Sequence, residues 1–341
     1  MVTLTPITAV SADDPYPYYA RLAVEHPLHF EADLNCWVAA STSAVEAVLN
    51  NSAFQVRPPG DVVPWAMRGT SLGDLFAHMV RMTDGTAHAP RRREAEQVLE
   101  GINVAAIASA LPDLSAAPLD ALMFAFPSRA IATLLGIAPR DVEGIETYAR
   151  ALARAIAPGA SPETVAPASR AVDALGAIFA ERYPDEQRRY NAIGLLFQAY
   201  DGTAGLIGNT LYHLAFAQPV ITARIVQDAP TLAGFVGDVA RLDPPVHNTR
   251  RFAATEIAID DALVRESESV LVLLAAANSD PAAAGRTFTF GAGAHACIAA
   301  RLATTIASVA VKALVTTGVD LATIERNGFY PSLNVRVPRF D

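Results

Sequence analysis

The sequence predicts a mainly α-helical fold, a helix-rich single domain over residues 1–341 with small peripheral β-sheets. Two observations carry this expectation. Ala, Leu, Ile and Val dominate a chain that is 52% hydrophobic, and the apolar residues recur mostly three and four positions apart, the spacing that turns one helical face to a core. Strand-like runs are few, and no internal repeat or low-complexity tract breaks the pattern.

The first strand candidate is Asn35–Ala39, leading into a helical stretch at Ser43–Leu49. Arg57–Gly60, Ala157–Pro162 and Asp243–Pro245 are turn segments, because proline fixes the backbone and ends helices. Within Met82–Leu99, His88 and Arg92 stand four apart, on one helical face where two donors can converge on a carboxylate. The consecutive Arg91, Arg92 and Arg93 also fit a solvated basic helix start. The Ala- and Pro-rich Ala151–Ser169 reads as a mobile loop, Arg188–Ala217 as one long apolar helix, and Ser269–Ala275 as a second strand.

Composition excludes several functions. The formal net charge is −9 and no basic tract stands clear of acidic neighbours, which disfavours a nucleic-acid partner. The amino terminus lacks a basic stretch followed by an apolar run, and no segment offers about 18 uninterrupted apolar residues; the expectation is a soluble, cytoplasmic protein without a membrane partner. Cys36 and Cys297 are the only cysteines, too few for a disulfide framework and in no zinc-like spacing.

The most informative stretch is Thr287–Ala303, where a β-like run leads through Gly291 and Gly293 to His295 and Cys297 and then into an apolar helix. A cysteine at a helix start faces unpaired N–H groups and the positive end of the helix dipole, which favour a thiolate. The two glycines let the backbone approach a large flat ligand. The same residues, Gly291–Ala296, also fit the GxGxxA dinucleotide fingerprint, with Asp320 as the acidic residue further on. That reading leaves too little chain after Ala296 to complete a nucleotide-binding half.

Phe290-Gly291-x-Gly293-x-His295-x-Cys297-x-Ala299 resembles the haem-binding loop of the cytochrome P450 family, with Ala299 in place of the usual final glycine. The resemblance implies the P450 fold, with haem b (iron protoporphyrin IX) between the long distal helix and the cysteine loop. It also implies Cys297 as the iron ligand, and Phe290, Gly291 and His295 as cofactor-binding residues. His88 and Arg92 resemble the family's His-x-x-x-Arg, and Arg251 resembles the arginine that reaches a haem propionate from a strand. Asp238-x-x-Arg241 followed by Pro244-Pro245 resembles its Glu-x-x-Arg helix, and Asp14–Leu22 with Trp37-Val38 resembles the opening of soluble bacterial members. Cys36 is then a buried bystander in an early strand.

On the long helix, Gln198–Ala204 resembles the family's Ala-Gly-x-(Asp/Glu)-Thr. Asp201 matches the acid and is a candidate catalytic residue. The usual threonine is replaced by Gly202, while Thr203, the second candidate catalytic residue, comes one residue later, about 100° around the helix. Between Pro281 and Phe290 the family's meander, with its arginine, is missing; Arg286 is the candidate to replace that arginine or to meet a propionate. By the same resemblance the pocket is lined near Trp65, Met67, Leu72 and Phe76, residues that ordinary core packing would also explain.

Three functions follow. The first is monooxygenation of a small, largely apolar molecule with electrons from a ferredoxin-type donor. A second is peroxide-driven or redox-neutral haem chemistry, favoured by the missing threonine and meander. The third is a catalytically silent auxiliary protein, against which the retained Cys297 argues.

Overall fold

The computed structural model describes residues 4–111 and 117–340. Helices form where the apolar spacing places them, and polar side chains or prolines start them. Helix α1 spans Tyr16–Glu25, with Pro17 in its first turn; α2 spans Thr42–Leu49, its first turn capped by the Ser41 hydroxyl, which accepts from the Ala44 N–H. Further on come α3 (Ser71–His78), α4 (His88–Glu100), α5 (Leu119–Leu134), α6 (Pro139–Val142), α7 (Ile145–Ile156) and α8 (Val165–Ala180). The predicted long helix is α9, Glu186–Ala215, capped by Asp185, whose carboxylate accepts from the Arg188 N–H. After it stand α10 (Pro219–Gln227), α11 (Ala229–Leu242), α12 (Leu274–Ser279) and α13 (Ala300–Thr316). Such caps are each worth about 1 kcal/mol.

Strands are few, as expected. Strands β1 (Leu28–Glu31), β2 (Cys36–Ala39), β3 (Phe54–Gln55), β4 (Asn248–Ala253) and β7 (Ser269–Leu273) form one sheet in the order β1-β2-β7-β4-β3. β5 (Ile257–Ile259) and β6 (Ala262–Val264) form a separate pair. Only β2 and β7 run parallel, in a register that sets Val38 against Leu271. Cys36 lies on β2, 1% exposed, among the apolar residues under α1.

The main core surrounds α9, which packs against α4, α5, α7, α8, α11 and α13. Two elements differ from the sequence reading. The Ser269–Ala275 run stops being a strand at Leu273 and turns into α12, because Leu274–Ala277 are buried on a helical face against α1 and α11. The Ala151–Ser169 segment is largely helix: α7 continues to Ile156 and α8 starts at Val165, with Leu152, Ala155, Val165 and Ala168 in the core. Residues Gly293–Thr316 have the length and apolarity of a membrane span, but α13 is packed on α9 and α11 and carries Arg301 and Lys312.

A buried ion pair ties the chain's ends to this core. Arg336, 1% exposed, donates its Nε to Asp243 Oδ1 (3.1 Å) and its remaining nitrogens to the carbonyls of Val10, Ala12 and Asp13. Asp243, where α11 ends, also accepts from Tyr16 and lies 3.0 Å from His213 Nε2. Burial works against its charge, yet His213, Arg336 and Tyr16 together hold its carboxyl down to about 2. Replacing Asp243 with Asn leaves a buried guanidinium uncompensated. Denaturant unfolding at neutral pH should therefore register a loss of about 3–5 kcal/mol. The depressed carboxyl contributes stability above its unfolded pKa and loses it as pH falls, so the variant should also show a flatter stability profile between about pH 4 and pH 2.

Candidate functional site

The loop between α12 and α13 is held by contacts that start at its glycines. Gly291 and Gly293 have φ of +69° and +65°, left-handed values that favour glycine. At Gly293 a Cβ would stand 2.4 Å from the Leu49 carbonyl oxygen. That glycine therefore serves close docking of the loop on the end of α2 rather than approach to a ligand. No strand precedes the loop: Gly291 N donates back to Phe288 O in a tight turn, which removes the strand–turn–helix context that a dinucleotide site needs. Phe290 packs against the main core, and its carbonyl accepts from the Cys297 amide at 2.8 Å.

Cys297 lies three residues before α13, not within it, and the nearby N–H belongs to Ala299. Its side chain is accessible although protein surrounds it, so the thiol faces an interior opening. Burial raises its pKa, opposed by the Ala299 N–H and by the charges of Arg81 and Arg92. The helix-start argument thus gives the right direction for those groups, but burial outweighs them in the free thiol.

Helix α4 delivers the predicted His88 and Arg92 to this loop. Arg92 donates Nη1 to the Ala294 and Ala296 carbonyls, 2.9 Å each, and Nε to Glu96. It clamps the loop from below, which decides against a solvated basic helix start. The His88 and His295 rings meet at 4.3 Å, and His295 Nε2 lies 3.1 Å from Asp84 Oδ1. Burial would raise the Asp84 carboxyl, but His295, the Val56 N–H and Arg57 bring it below its ordinary value. His88 Nε2 is buried with no hydrogen-bond partner. Arg251 on β4, 7% exposed, finds only neutral oxygens, those of Thr249 and Arg250. Burial and neighbouring Arg81 lower it to about 10.

Gln198, Ala199, Asp201 and Gly202 keep accessible surface in the middle of the otherwise buried α9. Burial raises Asp201 to about 6, against a weaker pull from Arg154. Gly202 has room: a Cβ there would find only Val246 Cγ2, at 3.7 Å. Thr203 is 4% exposed, packed in the helix and off the face that Asp201 and Gly202 share.

Three further expectations change. Asp238 and Arg241 approach only to 3.7 Å with Asp238 largely exposed, a surface pair. Arg286 joins neither them nor the haem loop; it pairs with Glu46 on α2. In the pocket segment, Met67, Leu72 and Phe76 are core residues, with Leu72 wholly buried, whereas Trp65 is 79% exposed.

Asn278 does the work expected of the missing charges. Its Nδ2 donates to the Arg241 carbonyl (3.0 Å) and to Thr289 Oγ1 (2.9 Å), and its Oδ1 accepts from the Phe288 N–H (2.6 Å). Thr289 Oγ1 in turn donates to the Ala240 carbonyl. This neutral clasp fastens the end of α11 to the cysteine loop. It escaped the sequence reading because a lone asparagine carries no motif.

The residues present are an accessible sulfur surrounded by protein, an accessible stretch in the middle of a long helix, and cations beside an orphaned imidazole nitrogen. These features fit a haem, whose flat apolar ring and two carboxylates match what the opening offers. No protein-family model matches the chain. Among curated proteins, it is 28% identical to the cytochrome P450 monooxygenase PikC of Streptomyces venezuelae, covering 95% of this chain and 89% of that one. It is 22% identical to cytochrome P450 144 of Mycobacterium tuberculosis, covering 96% and 88%. The PikC alignment runs over 388 positions, more than this chain's 341 residues, so stretches of the relative have no counterpart here. Among solved structures, CalO2 superposes with a TM-score of 0.80 at 21% identity, covering 99% of this chain and 97% of that one. P450BioI, in complex with an acyl carrier protein bearing hexadec-9Z-enoic acid, gives 0.77 at 20%, covering 96% and 97%. The chain is thus similar over nearly its whole length to bacterial cytochrome P450 monooxygenases, and its fold is theirs.

The clasp and the Arg286 pair make opposite predictions. Asn278→Ala strands the Phe288 N–H and the Arg241 carbonyl and should cost about 2–3 kcal/mol in denaturant unfolding. Arg286→Ala removes an exposed pair and should cost less than about 1 kcal/mol in the same measurement.

Proposed function

We propose that this protein is a haem b-dependent monooxygenase of a small, largely apolar molecule, acting as one cytoplasmic domain with electrons from a ferredoxin-type donor. The observation that carries the reading is the Cys297 thiol, facing an interior opening under the opposing influence of the Ala299 N–H and two arginines. Bound haem would supply oxygen activation, with a thiolate ligand favouring O–O cleavage. The chain's own residues supply the rest. Cys297 provides the sulfur, and Phe290 and Gly291 shape its loop. His88, Arg251 and the His295–Asp84 pair stand at the carboxylate edge, while Arg92 fixes the loop's height. Asp201, with its carboxyl near 6, can hold or release a proton close to neutral pH. Thr203 has no accessible surface of that kind, so we assign the proton role to Asp201 alone.

The central test is the ferrous–carbon monoxide spectrum of the haem-loaded protein beside Cys297→Ala. A thiolate-type Soret band in the wild type, absent from the variant, is the expected result. A spectrum indifferent to the substitution would remove Cys297 from the iron.

A second reading rests on Gly202. A hydroxyl one residue after the acid is absent, and Thr203 does not replace it, which favours peroxide as oxidant. Turnover with hydrogen peroxide but not with reductase proteins would select it. Because the space beside Gly202 admits a side chain, Gly202→Thr should fold normally and raise the product formed per reductant consumed several-fold in a reductase-supported assay.

A further inference from the structure

The interior opening contains an arginine that none of the recognised motifs includes. Arg81 sits in a single 3₁₀ turn, Val80–Met82, between the buried Met79 and Thr83. Its side chain is exposed by accessible surface, yet enough protein surrounds it that burial lowers its pKa. Its charge acts on Cys297 and on Arg251, so the three groups lie near one another. It has no hydrogen-bond or ion-pair partner among the described residues.

The neighbouring cations differ from it. Arg92 is committed to Glu96 and two loop carbonyls, Arg91 to the Ala77 carbonyl and Thr83, and Arg57 to the Val62 carbonyl. His295 is committed to Asp84, which the Val56 N–H also holds. That leaves two guanidiniums, Arg81 and Arg251, repelling each other, with Asp84, the acid that attracts Arg251, already bonded to His295 and the Val56 N–H. Such an arrangement is costly unless an anion completes it. A guanidinium matches a carboxylate in shape and charge, with paired N–H donors.

We propose that Arg81, with Arg251 beside it, is the carboxylate receptor of this opening. The proposal rests on the haem reading above, since haem brings two carboxylates to this edge; a carboxylate on the substrate is the other source of the same chemistry. Arg81 makes no hydrogen bond or ion pair among the described residues, so its role is separable from folding.

The test compares wild type, Arg81→Gln and Arg81→Lys in three measurements: thermal unfolding of the apoprotein, the rate of haem transfer to excess apomyoglobin, and Soret titration with decanoate against decanol. Arg81→Gln should leave apoprotein unfolding unchanged or slightly raised, because repulsion of Arg251 is relieved. It should speed haem loss about tenfold or more, with Arg81→Lys restoring part of the retention. If haem retention is unchanged but the preference for decanoate over decanol disappears, the carboxylate belongs to the substrate. Unchanged retention and unchanged preference overturn the proposal. A wild type without a thiolate–haem spectrum would instead overturn the function proposed above; Arg81 would then be decided by calorimetry of decanoate with the apoprotein, where equal binding by Arg81→Gln removes it.

Discussion

The bond from the Cys297 amide to the Phe290 carbonyl closes a loop whose only chemical product is the position of one sulfur, and most of the surrounding contacts hold that loop in place. Its flank is pressed on the end of α2, so closely at Gly293 that no side chain fits. From α4, Arg92 reaches two of its carbonyls, and from α12 Asn278 grips its start. Three separate elements thus converge on the loop that positions this sulfur, as a site needing a fixed side chain requires.

The clasp at Asn278 shows how a shortened chain keeps this geometry. Where charges were expected to join α11 to the loop region, Asp238–Arg241 is solvated and Arg286 has turned to α2. Neutral hydrogen bonds carry the connection instead. They require no ionic desolvation, so they are favourable over the short span that remains. The charged device sits at the other end of the same turn, where Asp243 and Arg336 are buried and share their bonds with the amino-terminal segment. The two struts bracket Pro244–Pro245, and the path of β4, and with it Arg251, depends on both.

Much of this was legible in the sequence because it is periodic or closely spaced. Helix α9 shows in thirty residues of apolar repeat, and His88 with Arg92 shows as a four-residue step. The strand Asn35–Ala39 was placed to within one residue. What was not legible depends on long-range closure. Gly293 was assigned to a ligand because sequence does not reveal that Leu49 lies against it. Asn278 meets partners on α11 and in the cysteine loop, and Arg81 meets no hydrogen-bond partner among the described residues. Leu274–Ala277 looked like strand because a short apolar run has no period to distinguish it from a buried helix. The buried face of α12 decides it.

Electrostatics gives the two sides of the opening different tasks. Cations gather on the loop side, where Arg81 and Arg92 oppose, without overcoming, the burial that raises the Cys297 thiol, and where Arg251 lacks a bonded acid. On α9, Arg154 gives Asp201 a weak pull toward its charged form, and burial lifts its carboxyl into the range where protons exchange near neutrality. A cationic side holds charge still, and an under-compensated acid on the other side lets a proton move. Gly202 widens the space beside that acid without providing a hydroxyl, so any ordered proton path from Asp201 must run through water or through the substrate itself.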